Sequence, residues 1–140
     1  MKKSPKEIVD AMYSNDDYSQ WLGIERIKDG FGCSHLQMKI RKEMCNGFSI
    51  AHGGITYALA DSALAFASNS HGVKAVSIET SISHVAPLHM DDIIEAKAVE
   101  KHRSNKIGLY EVIVSKLDGT VVALFKGTVY ITSKEWEVEK

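Results

Sequence analysis

At 140 residues the chain is long enough for one hydrophobic core and too short for a second domain. Its 17 Lys and Arg against 18 Asp and Glu leave a net charge of −1, which gives no basic footprint for nucleic acid. No apolar stretch reads as a membrane span, because the most apolar segment is broken by Asp61, Ser62, Ser68 and Asn69.

The amino terminus, MKKSPKEIVD, turns polar at once and lacks the apolar stretch of a secretory leader, so a cytoplasmic location is expected. Cys33 and Cys45 have neither CxxC spacing nor a secretory context and are expected as free, reduced thiols. Ser4 as N-cap, Pro5 at the first helical position and Ile8, Val9 and Met12 on one face predict a short helix over residues 5–13. Residues 23–40 read as a hairpin turning at Asp29-Gly30, with Ser34, Leu36 and Met38 alternating against Cys33, His35 and Gln37. A helix is predicted over about 54–70, stopping near Gly72. Residues 74–85 read as a strand with Val76, Ile78, Thr80, Ile82 and His84 on one side, closed by Pro87. Strands follow at about 92–102, 107–117 and 120–132, the last two joined by the hairpin signal Asp118-Gly119. From Ser133 the tail is charged and expected to fray. One helix ahead of a run of strands is an α+β pattern in a single domain over 1–140.

Between Glu43 and Lys74, Asp61 is the only Asp, Glu, Lys or Arg. It lies midway along a predicted helix, HGGITYALADSALAFASNSHG, that is apolar on nearly every side and therefore buried. An acid there needs a partner, a raised pKa or a function. The approach to the helix, N-G-F-S-I-A-H-G-G, holds Asn46, His52, Gly53 and Gly54. The first amides of a helix are unpaired and lie at the positive end of its dipole, so Gly53 or Gly54 can offer an N–H to a carbonyl under attack. Asn, HGG and a lone downstream acid together point to a site.

The pattern N-x5-HGG-x6-D, with the later G-L-Y-E-V and F-x-G-T-V-Y segments, resembles the hotdog-fold acyl-CoA thioesterases of the phenylacetic-acid-degradation (PaaI-like) family, from about residue 20 to 133. The resemblance implies a hotdog fold, in which one long helix is wrapped by a curved antiparallel sheet, and hydrolysis of a coenzyme A thioester. It implies a homodimer with shared active sites, pairing further into a tetramer. Carried onto this chain, Asp61 is the catalytic carboxylate, acting as general base or as nucleophile, and the Gly53 amide is the oxyanion donor. Asn46 and His52 hold the thioester and the attacking water, and Ser77 matches a polar position in some members. Related proteins often carry Gly-Arg or Gly-Lys in the turn between the second and third of the later strands; here Asn105-Lys106 stands there. Lys106, with Arg103 and Asn105, is expected to meet the phosphates or pantetheine of the substrate, with Gly54 beside the thioester.

The other residues are expected to do less. His84 and His89 lack a third ligand at metal spacing, so neither a metal nor a cofactor is expected. Ser49 and Ser62 sit in no G-x-S-x-G elbow. His35 and His71 read as surface or strand-edge residues, and Tyr57 and Phe66 as core, with Tyr57 also placed to line an acyl pocket. Two other functions fit the residue types: hydration or dehydration of an acyl thioester, using His52 and Asp61, and non-catalytic acyl-CoA binding. The acyl group expected from the resemblance is aryl-acetyl or medium-chain.

Overall fold

The computed structural model describes residues 3–138. Helix α1 (Pro5–Ser14) begins at Ser4, whose hydroxyl accepts from the Glu7 amide while the Glu7 carboxylate accepts from the Ser4 amide. This reciprocal cap fixes the start of a helix that buries Ile8 and Val9. A second helix, α2 (Asp17–Leu22), was not expected; Asp16 caps it through Ser19 and it ends at Gly23. Six residues are too few to show a helical repeat, so only the caps mark it.

Strands β1 (Glu25–Gly30) and β2 (Cys33–Lys39) form the expected hairpin, with its turn two residues later than predicted. Asp29 pairs with Ser34 and Gly30 with Cys33, so Phe31-Gly32 makes the turn, with Gly32 at φ +67° supplying the left-handed backbone. Ser34, Leu36 and Met38 are the buried set. A short 3-10 turn (Lys42–Met44) leads through a loop to α3 (Gly53–Asn69), then β3 (Val73–His84), β4 (Ile93–Arg103), β5 (Ile107–Lys116) and β6 (Val121–Glu135). The β5–β6 hairpin turns at Asp118-Gly119 as expected.

All six strands join one antiparallel sheet in the order β1-β2-β4-β5-β6-β3. The sheet curves around α3 in the hotdog arrangement. Leu59, Ala60, Ala63, Leu64, Phe66 and Ala67 of the helix are buried against Leu36, Ile94, Ala96, Tyr110, Val112 and Phe125 of the sheet.

Two expectations are corrected. Strand β3 carries a bulge: Ser77 pairs with Val129 but Glu79 with Thr128, so Ile78 is an extra residue. Ala75 and Ser77 therefore share the inner face with Thr80, Ile82 and His84, whereas Val76 and Ile78 are 55% and 59% exposed. The tail does not fray at Ser133. Strand β6 runs to Glu135, the Trp136 amide donates to Gly72 O (2.8 Å), and its indole donates to Asn69 Oδ1 (2.8 Å). The last two residues of the expected fraying, 139 and 140, lie outside the described residues.

Candidate active site

The loop before α3 is tied at both ends. The Asn46 amide donates to Ile50 O (2.8 Å), the Ser49 amide to Asn46 O (3.0 Å), and Cys45 and Ala51 form an isolated bridge. The Asn46 side chain is part of this loop, since its Oδ1 accepts from the Phe48 amide at 2.9 Å and leaves the Nδ2 hydrogens for other use. Ser49 at the tip is held at φ +61°.

His52 is the N-cap of α3: its Nδ1 accepts from the Gly54 amide at 2.9 Å. An accepting Nδ1 places the proton of neutral His52 on Nε2, which is then a donor. The same bond consumes the Gly54 amide. Gly53 keeps the free N–H among the described residues, at the positive end of the helix.

Asp61 lies two turns further along α3. It is half-buried, and burial alone holds its carboxyl above the ordinary carboxylate range, with no charged or hydrogen-bonding neighbour to offset it among the described residues. It lines a cavity of about 280 Å³ with Leu64, Ala65, Ser68, Ser77 and Val129. The β3 bulge is what turns Ser77 into this cavity.

Gly53 and Asn46 line a different cavity, of about 420 Å³, with Thr56, His84 and Leu88. His84, to which the sequence assigns no role, lies directly against Gly53: a Cβ on that glycine would stand 3.1 Å from His84 Nε2. The available signal was a histidine ending the inner face of an otherwise uncharged β3 row. Within one chain, then, the candidate oxyanion donor and the candidate acid face separate cavities, along a helix rising about 1.5 Å per residue.

The β4–β5 turn lies at the end of the sheet where β3 starts, since Gly108 and Ser77 both pair with Val129. Asn105 and Lys106 are exposed at the tip of the β4–β5 turn. Arg103, at the end of β4, is partly buried, and its Nη1 is fully covered and without a partner among the described residues. Tyr57 hydrogen-bonds Thr80 and packs edge-on against Phe125. Ser62 is paired with Ser19 at 2.8 Å. His71 is not a free surface residue, since its Nε2 meets Glu100 at 3.0 Å. No group of three or more potential metal ligands occurs among the described residues, and no helix among them is long and apolar enough to cross a membrane.

Residues 48–123 match the family model described as the thioesterase superfamily. The acyl-coenzyme A thioesterase PaaI of Escherichia coli K12 is 35% identical over 117 residues, 84% of each chain. The chain belongs to the thioesterase superfamily. It is accordingly a thioester hydrolase. The solved structure of the E. coli PaaI protein, from the phenylacetic acid degradation operon, covers 94% of this chain and 95% of its own, with a TM-score of 0.92 at 31% identity. A Streptococcus mutans protein solved with acetyl CoA bound superposes over 81% of this chain and 91% of its own, with a TM-score of 0.78 at 21% identity, a likeness in fold. The resemblance carried by N-x5-HGG-x6-D and the later strand segments, and the hotdog fold that it implies, are both borne out.

Proposed function

We propose that the protein hydrolyses acyl-CoA thioesters to a free acid and coenzyme A, using Asp61 and the Gly53 amide. The observation that carries this reading is the pairing of a half-buried carboxylate without a partner and a helix N-terminus whose cap leaves one glycine amide free. Together they supply a group that activates water or attacks directly, and a donor aimed at developing negative charge. The 35% identity to an acyl-coenzyme A thioesterase supports the choice of carrier. An aryl-acetyl or medium-chain acyl group fits the small apolar surroundings of Asp61, where Leu64, Ala65, Ala75 and Val129 form the walls.

In this reading the thioester oxygen accepts from Gly53 N–H, with Asn46 Nδ2 and His52 Nε2 as neighbouring donors. Asp61 acts on water held with Ser77, or adds to the carbonyl itself. Lys106 and Asn105, exposed on their turn, meet the CoA phosphates or pantetheine. The active unit is a dimer. Strand β3 is an edge of the sheet, 12 residues long, with the Gly53 cavity at its end and the Asp61 cavity at its start. Two-fold antiparallel pairing of β3 with its copy sets the start of one strand against the end of the other, so one chain's Asp61 cavity adjoins the partner's oxyanion cavity. It also covers an otherwise open strand edge. Two such dimers pair into a tetramer.

The test is thiol release across aromatic, short-chain and long-chain acyl-CoA substrates, with hydration of a crotonyl thioester measured beside it. Hydrolysis lowered about a hundredfold or more by Asp61→Asn and Asp61→Ala is the expected result. Near-normal turnover in both variants, or hydration without thiol release, would overturn it.

A further inference from the structure

His84 has no role in the reading above, yet among the described residues it is the only ionisable side chain lining the cavity that holds Gly53 and Asn46. Strand β3 delivers it there: His84 pairs with Ala123 and, two residues after Ile82, closes the inner face of the strand. The ring is set edge-on to the glycine, with Nε2 as the nearest atom (3.1 Å from the Cβ position) ahead of Cε1 (3.4 Å) and Cδ2 (3.7 Å). A larger residue at position 53 would press on that nitrogen, so the glycine lets the imidazole lie close against the start of α3. The other surroundings are Ile50, Val85, Pro87 and Leu88, together with the Thr56 hydroxyl. None of them is charged, and in the single chain His84 and Val85 are exposed to solvent.

We infer that His84 is a catalytic residue of this site, donating Nε2–H to the thioester carbonyl oxygen alongside the Gly53 amide. The inference rests on the thioesterase reading and adds a second oxyanion donor to it. As the nucleophile adds to the carbonyl carbon, the C=O π pair moves onto oxygen, and the two N–H donors take up that charge. When the oxyanion collapses the pair returns, the C–S bond breaks, and CoA leaves as thiolate. His84 gives up no proton in these steps. Its effect is electrostatic and largest where the oxygen is most negative. Because a donor on an edge strand is closed off by the two-fold pairing of β3, its environment is complete only in the dimer.

Two CoA analogues separate this role from a mere wall. One is a methylene ketone, which keeps the carbonyl oxygen and cannot be hydrolysed; the other is an S-alkyl thioether, which lacks the oxygen. In the intact dimer, His84→Phe should weaken ketone binding about five- to tenfold, the worth of one hydrogen bond, and leave thioether binding within about twofold. For the thioester, kcat/KM should fall about tenfold to a hundredfold, more than the loss on the ketone, because the oxygen is most negative in the transition state. His84→Gln, which presents an N–H at similar reach, should recover most of both losses, and His84→Glu, of nearly the same shape but accepting instead of donating, should not. Gln and Glu decide the matter even if Phe does not fold. Equal losses on ketone and thioether, or Gln and Glu variants that behave alike, would overturn the assignment. A wild-type protein that releases no thiol from any acyl-CoA would overturn the thioesterase reading instead, and the ketone–thioether comparison still reports on His84.

Discussion

Asp61 is where burial and chemistry meet in a single side chain. Burial favours the neutral acid, so its folded pKa lies above the unfolded value of 3.8. A group shifted that way contributes its full stability below the unfolded pKa and loses it as pH rises through the folded pKa. Asp61→Asn removes that loss. Its thermal midpoint should therefore exceed wild type at neutral pH, and the two should converge as pH is lowered toward 4. Equal midpoints at neutral pH would mean that the carboxylate is solvated as well in the fold as outside it. The same shift should set the acid limb of kcat/KM above the ordinary aspartate range. Asn46 differs in kind, because its Oδ1 already serves the loop through the Phe48 amide. If its Nδ2 touches the thioester mainly in the transition state, Asn46→Ala should lower kcat more than it raises KM. A rise in KM with kcat untouched would make it a binding residue only.

At the scale of elements, the start of α3 does two jobs through one residue. His52 caps the helix through Nδ1 and thereby frees Gly53 and orients its own Nε2–H. Losing an N-cap costs about 1 kcal/mol. His52→Ala should thus lower both thermal midpoint and turnover, while His52→Asn, itself a good cap, should restore the midpoint and leave turnover low. If Asn restores both, the imidazole matters only as a cap. The sequence made much of this architecture legible. Asn46, HGG and Asp61 sit in one contiguous segment, so their spacing survives folding, and the apolar run from Ile55 to Ala67 could only be a buried helix. What stayed hidden depended on distant pairing. The Ile78 bulge arises from registering β3 on β6, and nothing in A-V-S-I-E-T marks which residue is extra. Trp136 carries no local signature, because its partner, Asn69, lies 67 positions away at the end of α3. His84 was missed for the same reason: its neighbour Gly53 is 31 positions earlier, and a lone histidine in a strand has no local signature.

For the whole molecule, a single chain places the Gly53 and Asp61 cavities apart along one helix and leaves β3 as an open edge beside both. In the proposed pairing of β3 with its copy, each reaction centre takes its oxyanion donor from one chain and its acid from the other. Asp61→Asn leaves the donor intact, and Gly53→Pro removes the amide hydrogen while keeping a residue suited to the first turn of a helix. Each variant alone should be inactive. The decisive measurement is thiol release by purified heterodimers formed from one chain of each variant. One centre then carries both defects and the other carries neither, so the account predicts turnover of about half that of the wild-type dimer. Heterodimers that are folded and paired yet as inactive as either parent would contradict it, placing donor and acid in the same chain.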